Sequence, residues 1–309
     1  MLISGANNHI TDYGIDGLED TKMYLDQIQV PYVGFGTNNE ELHHTYDVLL
    51  KDKVVRFFSI AQNEFCTMES EKKGVGANPY DPLQVFDSIN ECKKTADFLV
   101  VLFHGGKENY TYPTPLQRKI CRKMISEGAD FVVCQHSHCV GCKEELDNGT
   151  IVYGTGNFIF NISDEELWNT SIVPHLAIRN DMIVIEYLPI IKTKSGVRMA
   201  AYNEKEDILT RFNKRSCEIM QEGFVEENWE KYCNENRIAI LWNAFFRYPK
   251  FVYWIDRIIG RRITKLLMSN ETKKLTLYNY IRCEAINEMC QTIFYTNEEK
   301  SNKLKNGTK

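Results

Sequence analysis

The chain has 309 residues, 43% of them hydrophobic and 26% charged, with a formal net charge of -5 and a mean hydropathy of -0.38. That composition supplies a core and excludes a disordered or fibrous chain. No uninterrupted apolar run approaches the roughly 18 residues of a membrane span, so a soluble chain is expected. Residues 1–7 lack the basic start and apolar stretch of a signal peptide, which points to the cytoplasm.

The strand candidates are residues 2–6, 31–35, 54–61, 97–104, 130–136, 150–160 and 182–191. Near-continuous apolar runs such as Phe98 to Phe103 suit strands covered on both faces. Helical patterns lie between them. Leu18, Thr21, Leu25 and Ile28 make one stripe; Leu83, Phe86 and Ile89 follow the Asp81-Pro82 start. Leu116, Ile120 and Met124 follow Thr114-Pro115, with Gly128 as the stop. This alternation predicts an α/β domain over 1–192. Residues 197–202 are one further strand candidate. From Glu204 onward the pattern is helical, interrupted at Pro249 and Gly260, and 297–309 read as a frayed end. The second region, 193–309, is therefore mainly helical.

Charge divides along the same line. Residues 193–309 carry 21 Lys+Arg against 15 Asp+Glu, and residues 1–192 carry 16 against 27. An acidic first region excludes nucleic acid as its partner, while a basic second region suits an anionic surface. Within 237–274, basic residues interleave with aromatics, and Ile255, Ile259, Ile263 and Leu267 recur every fourth residue. Such a helix either packs on the first region or lies in a membrane interface, peripheral to its inner face. The ten cysteines are scattered, which favours thiols over a disulfide framework.

Candidate chemistry sits where strands end. His9 follows the first strand, His104 ends the fourth, and His136 and His138 follow the fifth. In an open α/β sheet the carboxyl ends of strands form the ligand-binding rim. Four imidazoles and the amide of Asn8 thus meet on one rim, a donor set suited to Zn, Mn or Fe. Asn63 and Glu64 also reach a strand end and either face substrate or serve as loop and cap residues. Cys134, Cys139 and Cys142 imitate zinc spacing but lack a second ligand pair, so buried thiols are expected.

These residues carry a resemblance. Asn7-Asn8-His9 with Asp12, Gly14, Gly17-Leu18 and Thr21 resembles the "ANNH…D-x-G…GL…T" block of the bacterial capsule-synthesis CapA family, linked to poly-γ-glutamate. The stretch from His104 to Glu108 resembles "HWGxE", with Gly105 in place of Trp. Gln135 to His138 stands at "GHPH", with Ser137 in place of Pro, and Tyr153 to Phe158 is similar to "YSLGNF".

The resemblance implies a calcineurin-like metallophosphatase fold, a layered α-β-β-α sandwich with a two-metal centre. Carried over by position, it implies that Asn8, His104 and His136 serve one metal and His138 the other. His9 is then the general acid or electrostatic stabiliser, Glu108 a supporting or substrate-facing carboxylate, and Asn157 a substrate contact. The family's upstream "GD" and "NLE" blocks have no counterpart here. The sandwich is accordingly expected to be N-terminally incomplete, from a truncated start or a degenerate site. Two functions follow: a metal-dependent hydrolase or transferase acting on an anionic polymer or its precursor, or a non-catalytic scaffold of the same pathway.

Overall fold

The computed structural model describes residues 2–63, 67–70, 73–160, 166–180, 182–245, 250–262 and 264–265. It divides into two compact units, Met1–Glu230 and Lys231–Lys309. The first unit thus continues past the expected boundary at residue 192.

Its strands in chain order are β1 (Ile3–Ser4), β2 (Tyr32–Val33), β3 (Phe35–Gly36), β4 (Tyr46–Leu50), β5 (Lys53–Ala61), β6 (Met68–Ser70) and β7 (Val75–Ala77). There follow β8 (Phe98–His104), β9 (Phe131–Gln135), β10 (Lys143–Leu146), β11 (Gly149–Val152), β12 (Thr170–Arg179), β13 (Met182–Thr193) and β14 (Gly196–Met199). The helices are α1 (Gly14–Gln27), α2 (Asn39–Leu42), α3 (Val85–Lys93), α4 (Pro115–Ser126), α5 (Glu166–Asn169), α6 (Tyr202–Glu218), α7 (Phe224–Phe245) and α8 (Lys250–Ile258).

The central sheet has the order β10-β11-β9-β8-β5-β4. Its four inner strands, β11, β9, β8 and β5, run parallel, and β10 and β4 close the edges antiparallel. Alternation along β8 shows why this sheet needs cover on both sides. Leu99, Val101 and Phe103 enter a core with Ile89 of α3 and Met124 and Ile125 of α4. Val100 faces the other way, into a core with Ile172, Ile208 and Phe212. That second core is closed by β12-β13-β14 and by α6, giving a helix–sheet–sheet layering and an α/β class. Burying each such aliphatic side chain contributes about 1.5–3 kcal/mol. Because α6 and the start of α7 supply Ile208, Phe212, Ile219 and Val225 to these cores, the unit cannot end at 192.

Local sequence signals explain the element starts. Thr114 caps α4 by accepting from the Gln117 amide at 3.1 Å, with Pro115 at the first helical position. Gly128, at φ 115°, turns the chain from α4 into β9. The strand expected over 150–160 stops at Val152, because Gly156 takes φ 78° and the chain turns. Beyond β13, the expected helical pattern appears as α6, α7 and α8, and Gly260 at φ 71° follows the end of α8. Residues 297–309 and Pro249 lie outside the described residues.

Candidate metal centre

The parallel register puts chemistry at one rim. His104 closes β8 opposite Gln135 of β9, and the Gly105 amide donates to the Gln135 carbonyl at 3.1 Å. The chain then leaves β9 through His136 at φ 100° and His138 at φ 59°. Both angles lie in the left-handed region, which costs a bulky residue of order 1–3 kcal/mol. Asn8 comes from the turn after β1. There Asn7 Oδ1 accepts from the His9 amide at 2.8 Å, and Asn8 is buried at 4% exposure.

These elements bring three donors together. His104 Nε2 lies 2.9 Å from Asn8 Oδ1 and 3.2 Å from His136 Nδ1, with the two imidazole centroids 4.9 Å apart. A single proton on Nε2 has two acceptors to serve, whereas a cation meets three lone pairs at once. Two nitrogens bound at roughly 2.1 Å with ordinary coordination angles stand about 3.0–3.4 Å apart, and 3.2 Å falls in that span. The fit extends to one cation. Among the described residues no group of three His, Cys, Asp or Glu side chains is placed to hold an ion, so Asn8 is needed and the donor set is neutral. Burial, then the neighbouring His136, His138 and His9, depress the His104 pKa to about 3. It is therefore the neutral imidazole a metal requires.

His138 stands aside from that group. Its Nδ1 donates to Asn157 Oδ1 at 2.8 Å, and its ring is 6.2 Å from that of His136. Asn157, expected to contact substrate, is buried and gives its Nδ2 to the carbonyls of His138 and Trp168 at 3.2 and 3.1 Å. It orients His138. Trp168 stacks on that imidazole at 4.5 Å, and Phe160 lies 5.2 Å away.

His9 is exposed, with Nδ1 on Asp12 Oδ2 at 2.9 Å. Glu108 is half-buried in the turn after β8. Asn63 is exposed, donates to the Tyr80 carbonyl at 3.2 Å, and lines a cleft of about 630 Å³ with Asn78, Asp81 and Val85. None of the four rim histidines lines that cleft among the described residues. Glu64 lies outside the described residues.

Sequence reasoning passed over Gln62 and Trp168. Gln62 donates its amide to the His104 carbonyl at 2.8 Å and accepts from the Gly106 amide at 3.1 Å, which fixes the turn after β8. Its position at the end of an apolar strand was the available signal; Trp168 had none. A Cβ on Gly105 would stand 2.8 Å from Phe103 Cζ and 3.0 Å from Gln62 Oε1, so this turn is built for glycine. Nearby, Cys134, Cys139 and Cys142 are buried free thiols, and Cys134 Sγ packs 3.5 Å from that of Cys121. Burial raises the pKa of Cys139 and Cys142.

Comparison with known proteins gives a consistent match. The PGA_cap family, described as bacterial capsule synthesis protein, matches residues 1–162. The PGA biosynthesis protein CapA of Bacillus subtilis (strain 168) is 28% identical over 194 residues, 61% of this chain and 50% of that protein. The capsule biosynthesis protein CapA of Bacillus anthracis is 28% identical over 193 residues, 61% and 47% respectively. The chain spans about half the length of these curated relatives. Among solved structures, the Haemophilus influenzae NAD nucleotidase aligns with a TM-score of 0.41 at 12% identity, covering 77% of this chain and 51% of that one. A 5'-nucleotidase precursor from Thermus thermophilus gives 0.40 at 12%, covering 71% and 44%. The match over 1–162 contains β1, β8, β9 and β11 with Asn8, His104, His136 and His138 at their ends, and by it the chain belongs to the bacterial capsule synthesis PGA_cap family.

Proposed function

We propose that the chain works in the synthesis of a capsule polymer of the poly-γ-glutamate kind, through a divalent cation held by Asn8, His104 and His136. The observation that carries this reading is the His104 Nε2 flanked by Asn8 Oδ1 at 2.9 Å and His136 Nδ1 at 3.2 Å. When bound, Mn, Fe or Zn there supplies Lewis acidity to a phosphoryl or acyl oxygen of the anionic polymer or its precursor.

The remaining residues position protons around that point. Asp12 holds the Nδ1 proton of His9, so Nε2 is the atom that exchanges a proton with substrate. Asn157 does the same for His138, and Trp168 fixes its ring plane. Glu108 follows His104 by one turn and is the carboxylate we assign to that margin. This makes the chain a metal-dependent hydrolase or transferase.

A second reading, a non-catalytic binding member of the pathway, is favoured by the neutral donor set among the described residues. Calorimetric titration with Mn and Zn separates the two. About one ion per chain, lost in His136→Ala and in His104→Ala, supports the cation site. An unchanged titration in both variants, or none in the native chain, leaves the scaffold reading.

A further inference from the structure

In the second unit, α8 presents an apolar stripe outward. Phe251, Trp254, Ile255, Ile258 and Ile259 are all exposed, Trp254 at 66% and Ile258 at 70%. Their spacing of i, i+3, i+4, i+7 and i+8 places them on one helical face. Leaving five large apolar side chains in water is unfavourable, so this face needs a cover.

The charges around the stripe select the cover. Arg257, Arg262 and Lys265 are exposed beside it. The one carboxylate of the described residues 250–265, Asp256, is fully buried and turned inward. It accepts from the Thr264 amide at 3.2 Å and from the Thr264 hydroxyl at 2.5 Å. Removing that acid from the surface leaves a face that is apolar along its centre and purely cationic at its margin. A core-packing helix has no use for such a margin, whereas an anionic lipid leaflet offers hydrocarbon depth and negative charge together. Trp254 and Phe251 are the residue types that settle at the headgroup level.

We infer that α8 is a membrane-surface element that lies in the interface of an anionic bilayer through Phe251, Trp254, Ile255, Ile258 and Ile259. Among the described residues no helix is long and apolar enough to cross a membrane, so the attachment is parallel to the surface. It stands independently of the metal centre.

The test is co-sedimentation of the full chain with phosphatidylcholine vesicles, with and without phosphatidylglycerol. Binding is expected with phosphatidylglycerol and should weaken as salt is raised. Arg257→Gln and Arg262→Gln should each lower partitioning roughly fivefold. Trp254→Ser with Ile258→Ser should abolish it; both side chains are exposed, so the thermal melt should not move. No sedimentation at low salt overturns the inference, as does equal binding by the native chain and the serine variant. Concentration-dependent dimerisation lost in the serine variant, without vesicle binding, would assign the stripe to a second copy instead.

Discussion

The imidazole of His138 lies on the indole of Trp168, ring centroids 4.5 Å apart and planes inclined by 26°. The contact joins the turn after β9 to α5, two parts of the chain thirty residues apart in sequence. Such a stack contributes about 0.5–1.5 kcal/mol beyond the area it buries. Trp168→Ala should lower stability by about 1–2 kcal/mol and move the His138 ring-proton resonances downfield as the indole ring current is lost. Trp168→Phe should restore part of both. Unmoved His138 resonances in the alanine variant would show that the stack does not form in solution.

Glu144 is the buried anion of the first unit. Its side chain is fully shielded and accepts from Arg118 at 2.8 Å, from Tyr153 at 2.7 Å and from Arg122. Burial pushes its carboxyl up, but the hydrogen bonds from Arg122, Arg118 and Tyr153 outweigh that and hold it at about 2. A carboxyl depressed on folding stabilises fully above its unfolded value, near 4.5, and that stability is lost as pH falls toward 2. The loss is on the order of 3 kcal/mol. Urea titrations between these limits should show it, and Glu144→Gln should flatten the slope. At neutral pH the same variant should lose about 3–5 kcal/mol, since it strands buried guanidinium charge. A native chain with flat stability across the window would contradict this account.

The glycine turn after His104 makes a steric prediction. Gly105→Ala brings a Cβ against Phe103 and Gln62 and should cost about 1–3 kcal/mol. Gly106 sits at φ 114° with Gln117 within 2.6 Å of the built Cβ, so Gly106→Ala should cost more. Gln62→Ala should relieve part of the Gly105→Ala penalty, which a double-mutant cycle on thermal melts would show as non-additivity. Strict additivity would mean that Gln62 is not the obstructing side chain.

The cap of α4 offers a local control. Thr114→Ala should lower stability by about 1 kcal/mol, while Thr114→Ser should change it little. Equal loss in both would place the effect in packing rather than in the hydroxyl.

The rim was legible because apolar, β-branched runs precede each histidine, and a parallel sheet aligns the ends of such runs. β8 and β9 follow the expected 97–104 and 130–136 within a residue or two. What escaped had no such signature. β10, Lys-Glu-Glu-Leu, reads as helix, and it is a strand because Glu144 turns inward to two arginines. β12 carries Pro174 yet holds a ten-pair ladder to β13, which its place at a sheet edge permits. Asn157 sits in a block that resembles the family, but its role behind His138 depends on Trp168, which no spacing links to it. In the span 237–274, Ile263 and residues 266–274 lie outside the described residues.

The left-handed backbone of His136 and His138 bears on how this protein would fare under selection for heat resistance. Glycine relaxes both positions, and each replacement would raise the melting temperature while deleting an imidazole from the rim. A library screened on thermal survival alone should therefore drift toward glycine at 136 and 138, whereas one screened on capsule formation should hold histidine there. The two positions are where robustness and chemistry draw the chain in opposite directions.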